Sequence, residues 1–227
     1  MTFRSLLLLV AGLVPLPAQA QAAEDALWNA PERVFSVPSE SMSPTLNPGD
    51  GVIATRVAFD ALKRGDVIAF RKGGPRQIWL FRLIGLPGDV VAMRDGAIVL
   101  NDETIPQKFV GVVESVSPFG RLQSARKLEE RLADGGPVYH ILDLEAGRMD
   151  NSPPVKVPAG HVFVLGDNRD NAADSRVSGE WGAGLVEQND IYGVVTQLFP
   201  GTYPATPPPP RSDKAPVVIV PDRSSRD

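Results

Sequence analysis

The chain has 227 residues, 27 acidic against 23 basic side chains, a formal net charge of −4 and no cysteine. The missing thiols exclude disulfides and thiolate chemistry, and a mildly acidic balance without a basic stripe excludes a nucleic-acid partner. The length suffices for one sizeable core, or a core with an inserted lobe, and no internal repeat, metal-ligand spacing or cofactor motif stands out.

Residues 1–20 read as a secretory signal peptide. Arg4 charges its start, Leu6–Leu16 is an apolar run, and Ala18-Gln19-Ala20 offers a small-x-small cleavage site. As a helix the run rises about 16 Å at 1.5 Å per residue, short of the ~30 Å of a bilayer core, and Pro15 and Pro17 break it. The expected mature protein is exported, periplasmic and soluble; the alternative is an uncleaved membrane anchor. A polar linker, 21–33, follows.

Val34–Val37 reads as a strand leading into Ser39-Glu40-Ser41-Met42-Ser43-Pro44-Thr45-Leu46. If that stretch is extended, Ser39 and Ser41 point the same way, and Pro44, with no N–H to donate, ends the strand. Asn47-Pro48-Gly49-Asp50 is a turn. The expected product is a hydroxyl pair beside exposed backbone N–H groups, a seat for a nucleophile and an oxyanion donor; a Ser-rich turn is the plain alternative.

Gly51–Val57 and Asp66–Phe70 are β-branched or apolar and read as strands. Arg71–Arg76, with Gly73-Gly74-Pro75, is a hairpin loop. Gln77–Ile84 is apolar except for Arg82, as a strand buried on both faces would be. Val90–Arg94 and Ala97–Leu100 flank Asp95-Gly96, a two-residue hairpin signal. In the more polar 101–158, Val110–Ser117 suits a strand, while Leu122–Leu132 holds helix formers with only a partial helical stripe. His161–Leu165 and Ile191–Phe199 are strands, and 201–227 is Pro-rich and expected to be extended or disordered.

Four stretches resemble, in order and spacing, the boxes of the type I signal peptidases. They are Ser39–Leu46, Arg64-Gly65-Asp66-Val67-Ile68-Ala69-Phe70, Arg82-Leu83-Ile84-Gly85-Leu86-Pro87-Gly88-Asp89, and Gly166-Asp167-Asn168-Arg169-Asp170-Asn171-Ala172-Ala173-Asp174-Ser175-Arg176. The resemblance covers roughly 34 to 199. It implies a mainly β fold: an antiparallel, partly closed, barrel-like core (34–100 and 159–200) with a smaller inserted lobe (101–158). It also implies a serine endopeptidase that binds an extended signal-peptide-type segment of an exported polypeptide, with small residues at alternate positions, close to a membrane and without a cofactor or metal.

Carried over residue by residue, the resemblance makes Ser41 the nucleophile, and the Ser41 N–H and Ser39 hydroxyl the oxyanion donors. Ser39 alternatively bonds only its own turn. Asp174 and Arg176 become a structural ion pair behind the site, Arg82 an internal ion-pair partner, and Met42 a cleft neighbour or core residue. The family's general base, a neutral lysine, falls at Phe81, and the serine that orients it falls at Ala172. Phenylalanine accepts no proton, and Arg82 stays protonated. The two losses fit together: a hydroxyl left in an apolar pocket without its partner costs about 1–3 kcal/mol, whereas replacing both partners is nearly neutral. Some relatives use a histidine as the base. Here His161 reads as packing or surface, His140 has no evident partner, and Lys72 belongs at a hairpin loop. Two functions follow: a peptidase with weak or absent turnover, or a non-catalytic peptide-binding or assembly protein using the same cleft.

Overall fold

The structure, a computed structural model, describes residues 22, 25–74, 77–116, 121–132, 136–144, 147 and 149–202. The expected signal peptide, and all but two residues of the expected tail, lie outside the described residues. The chain divides into two compact units, 1–30 and 31–227. In the first, residues 25–28 are helical and the Asn29 N–H donates to the Asp25 carbonyl at 2.9 Å. No helix among the described residues is long and apolar enough to cross a membrane.

The second unit is built from strands: β1 (Glu32–Ser36), β2 (Gly51–Thr55), β3 (Val67–Arg71), β4 (Ile78–Gly85), β5 (Val90–Arg94), β6 (Ala97–Leu100), β7 (Glu103–Thr104), β8 (Gln107–Val116), β9 (Leu122–Glu130), β10 (Tyr139–Asp143), β11 (Ser152–Lys156), β12 (His161–Leu165), β13 (Val186–Glu187) and β14 (Ile191–Phe199). A seven-stranded sheet runs β1-β2-β14-β3-β4-β12-β13, a three-stranded sheet β10-β9-β8 and a four-stranded sheet β11-β5-β6-β7. The largest is a curled antiparallel half-barrel, so the fold is mainly β and of the expected class.

Local chemistry accounts for much of this. Asp95 and Gly96 take φ of 48° and 80°, the pair of positive angles a type I′ hairpin needs, and set Arg94 opposite Ala97. β4 is buried along all eight residues because β3 and β12 flank it and side chains cover both its faces. Trp79 and Phe81 take one face. Arg82 and Ile84 take the other, towards Tyr139 and the apolar cluster below.

The helix formers of Leu122–Leu132 do not make a helix. Residues 122–130 form β9, hydrogen-bonded on both edges by β8 and β10, and two-sided pairing outweighs a weak helical preference. The segment 101–158 also reaches beyond itself. β11 pairs with β5, and Leu128, Leu132, Tyr139 and Ile141 share one cluster with Ile84, Val91, Met93, Ile98, Phe163 and Leu165.

Charges are buried in this core as pairs. Glu130 accepts from Arg169 Nη1 at 3.0 Å, from Arg169 Nη2, from Gln107 Nε2 at 2.9 Å and from the Tyr139 hydroxyl at 2.7 Å. Burial by itself would push the Glu130 carboxyl up, but the Arg169 guanidinium and these hydrogen bonds hold it below its ordinary value. The Tyr139 hydroxyl is pushed well above its ordinary range by burial and by the Glu130 charge.

Because the folded Glu130 carboxyl titrates below its unfolded value, the network's contribution is full above about 4.5 and is lost as pH falls through the lower folded value. Urea unfolding at pH 6 and pH 3.5 should give a lower midpoint in acid. Arg169→Met, which leaves Glu130 buried and unpaired, should cost about 3–5 kcal/mol at pH 6.

Candidate functional site

The serine box is not the extended strand its alternation suggested. β1 ends at Ser36, and residues 41–45 form a turn, closed by Ser43 N–H on the Glu40 carbonyl and Leu46 N–H on the Met42 carbonyl, each at 3.0 Å. The Ser43 hydroxyl adds bonds to Leu46 O at 3.2 Å and Asn47 Oδ1 at 3.0 Å. The turn still brings the two hydroxyls together: Ser39 Oγ lies 3.5 Å from Ser41 Oγ and 3.5 Å from Ser41 N. Both separations exceed the 2.7–3.2 Å typical of firm bonds. Ser41 is 4% exposed, and among the described residues its backbone N–H has no other acceptor, an arrangement rare for a buried amide.

The last box holds this turn in place. Asn168 N–H donates to the Ser41 carbonyl at 3.1 Å, and Asn168 Nδ2 donates to Glu40 O at 3.0 Å and Ser115 Oγ at 3.3 Å. Gly166 N–H donates to Asp174 Oδ2 at 3.0 Å. Asp174 is gripped by Arg176 through Nε at 2.9 Å and Nη2 at 2.8 Å, and Arg176 Nη2 also bonds the Arg169 carbonyl. The Asp174–Arg176 pair is fully buried.

Gly166 is where the site closes up. A Cβ there would stand 2.2 Å from the Ala172 Cβ, 2.6 Å from the Ser41 carbonyl oxygen and 3.4 Å from Phe81 Cε1. The fold therefore gathers Ser41 and Ala172, from the first and last boxes, and Phe81, which directly precedes the third, around one glycine. Ala172 can approach this closely only because position 166 carries no side chain.

A groove of about 360 Å³ opens at this point. It is lined by Ser39, Glu40, Ser41, Trp79, Phe81, Asp170, Asn171, Ala172, Ala173 and Val177. Trp79 and Phe81 give it an aromatic side, packed on Phe70 with centroids 6.0–6.5 Å apart and paired across β3 and β4 as Phe70 opposite Trp79 and Ile68 opposite Phe81. The Trp79 indole N–H is shut from solvent and finds no acceptor among the described residues.

Met42 is fully buried, and its sulfur accepts the Asp167 N–H at 2.7 Å. Arg82 is buried against Asp167, with Nε 2.7 Å from Oδ1 and Nη2 2.5 Å from Oδ2, and Nη1 donates to Gly65 O at 2.9 Å. Asp167 and Arg169 each hold one of these buried pairs.

The candidate replacement bases lie elsewhere. Lys72 sits in the β3–β4 loop with its N–H on Gln77 O at 3.0 Å and its side chain by Gly184. His161 Nδ1 lies 3.0 Å from Ala159 O and its Nε2 3.9 Å from Glu187, and His140 stands opposite Glu129 on β10. Among the described residues, the one hydrogen-bonding neighbour of the Ser41 hydroxyl is Ser39 Oγ.

With this geometry in view, the comparisons are direct. The signal peptidase, peptidase S26 family model matches residues 20–199. The chain belongs to this family. It is similar to signal peptidase I of Pseudomonas fluorescens, 36% identical over 160 residues covering 63% of this chain and 54% of that protein. It is also similar to signal peptidase I of Pseudomonas aeruginosa, 34% identical over 160 residues with the same coverage. The chain thus spans about half the length of these relatives. A solved signal peptidase I from Enterococcus faecalis V583 shares 29% identity, covering 60% of this chain and 97% of that one, with a TM-score of 0.34.

The Trp79 wall was missed in the sequence, although it was legible there: Trp79 and Phe81 alternate on one strand and so share a face. Asp170, Asn171 and Val177 reach the groove through loop conformation, which leaves no such periodic signal. Gly166→Ala is expected to overpack this junction and to cost about 1–3 kcal/mol. Thermal unfolding reads the loss, and Gly88→Ala, with nothing within 4 Å of its added methyl, separates crowding from backbone strain.

Proposed function

We propose that this protein is a signal-peptidase-I-like serine endopeptidase family member. Its groove takes an extended signal-peptide-type segment with small residues at alternate positions, and its hydrolytic turnover is weak or absent. A strand-like peptide lying along the groove would bond through its main chain and place alternate side chains against the wall. Ser41 stands as the nucleophile. Its own N–H and the Ser39 hydroxyl stand as the oxyanion donors, a role supported by how loosely both are engaged.

The observation that carries the loss of turnover is the junction at Gly166, where the Phe81 ring and the Ala172 methyl meet beside the Ser41 backbone. Attack by a serine needs a group that takes its proton. A phenyl ring and a methyl group accept none. The same junction supports the second function, a peptide-binding or assembly protein that keeps the groove and omits the chemistry. Phe81 and Ala172 pack as an apolar pair, so neither leaves a buried polar group unpaired.

The test is cleavage of a preprotein bearing an Ala-x-Ala site, in detergent micelles, by the wild-type chain, Ser41→Ala, and Phe81→Lys with Ala172→Ser. A lysine at 81 would stand against Phe70 and Trp79, where apolar burial favours its neutral form. The double change should cleave about 10²–10⁴-fold faster than wild type, the usual worth of a general base, and Ser41→Ala added to it should abolish the gain. Wild-type cleavage at the rate of the double variant, lost in Ser41→Ala, would overturn the assignment of Phe81 as the vacated base position. A labelled signal peptide that fails to bind the wild-type chain would overturn the peptide groove itself.

A further inference from the structure

Three carboxylates from two stretches of the chain meet at the outer end of the groove wall. Asp143 ends β10, Asp150 lies in the loop after it, and Asp170 belongs to the last box; one oxygen from each lies within 4.8 Å of the others. Spacing along the chain does not mark them as ligands, since the fold alone brings them together.

Two of the three have one oxygen satisfied and one left over. Asp170 Oδ2 accepts the Leu144 N–H at 2.8 Å, and Asp150 Oδ2 accepts the Gly147 N–H at 2.8 Å. The remaining Oδ1 atoms of Asp170 and Asp150 converge over Gly147, 1.9 and 2.4 Å from the position a Cβ there would take. Such crowding leaves that position to glycine.

Asp143 provides a separate observation. It is 5% exposed, and its Oδ1 is shut from solvent with no hydrogen-bond donor among the described residues. A buried carboxylate oxygen without a donor is costly. The cations nearby do not relieve it fully: Arg126 Nη1 stands 3.5 Å from the other oxygen, Oδ2, while Arg169 is held by Glu130 and Arg176 by Asp174. Burial, then the charges of Asp170 and Asp150, hold the Asp143 carboxyl up at about 6.

We propose that Asp143, Asp150 and Asp170 bind a hard divalent cation, calcium, which ties Asp150 to the groove wall. All the ligand atoms are carboxylate oxygens, the donor type that calcium and magnesium prefer to thiolate or imidazole. Oxygens within 4.8 Å of one another can share one ion at about 2.4 Å, and calcium accepts an irregular oxygen set more readily than magnesium, which demands near-ideal octahedral geometry. Asp170 lines the groove, so the ion would brace the wall beside Ser41 without touching the hydroxyls. Three carboxylates with water completing the shell suit the weak range of about 10⁻⁴–10⁻³ M.

The test is isothermal titration of CaCl₂ into the full chain after chelator treatment, beside MgCl₂. Calcium should bind one to one and magnesium more weakly. The melting temperature should rise by about 3–6 °C at ten times the dissociation constant. Asp143→Asn and Asp150→Asn should each weaken calcium by about tenfold or more, while Asp60→Asn, outside the cluster, leaves it unchanged. Both cluster variants should stay folded in chelator, since each removes a repulsive charge; if Asp143→Asn does not fold, the half-exposed Asp150 decides alone. No one-to-one calcium site, or unchanged affinity in Asp150→Asn, overturns the proposal.

Discussion

The buried pair of Arg82 and Asp167 is the constraint on which the rest of this site depends. Arg82 comes from the middle of a strand covered on both faces, and Asp167 from the loop after β12. Thr45, on the serine turn, bonds Asp167 Oδ2 at 2.5 Å. Arg82 also lies over the Tyr139 ring, 3.9 Å from its centroid, and Tyr139 bonds Glu130, which holds Arg169. Two ion pairs and one tyrosine thus connect the serine turn, the sheet and the strands of the middle segment. Such groups tolerate burial only when all are paired, because a lone charge in this interior would cost several kcal/mol.

That network sets the position of a glycine, and the glycine sets the shape of the site. Asp167 and Asn168 follow Gly166 directly; the first is held by Arg82 and Met42, the second by Glu40, Ser41 and Ser115. Asp174 fixes the Gly166 N–H from behind. With its N–H bound by Asp174, Gly166 lets Ala172, Ser41 and Phe81 all come within 3.4 Å of the place its side chain would occupy. The apolar character of the junction is therefore part of the packing. Phe81 is fully buried among Phe70 and Trp79, and aromatic neighbours in edge and tilted contacts add to the burial of their area.

The groove combines two unlike halves. One is polar and loosely bonded, with the Ser39 and Ser41 hydroxyls and a buried amide near a space large enough for side chains. The other is the aromatic wall of β4. Under the proposed function a main-chain carbonyl would meet the first half and small apolar side chains the second. Asp170, at the rim, belongs to the carboxylate cluster proposed above as a calcium site.

The elements legible in the chain were those whose cause is local. Asp95-Gly96 specifies its hairpin through positive φ, His161–Leu165 and Ile191–Phe199 through apolar runs between turn residues, and β4 through an unbroken apolar stretch around one arginine. The boxes were also legible, because side chains that hold a site recur at fixed intervals along it. Where the cause was tertiary, the sequence was silent or misleading. The serine box alternates like a strand but folds as a turn, since Asn168 and Asp167 hold its backbone and side chains from across the fold. Leu122–Leu132 carries helix formers but pairs on both edges. The convergence of Asp143, Asp150 and Asp170 has no signature at any spacing. The sequence by itself determined a β fold, a serine pair and the absence of a lysine at position 81. The tertiary structure decided what stands beside Ser41, because distance in space between boxes is set by buried ion pairs and a close-packed glycine that no local pattern records.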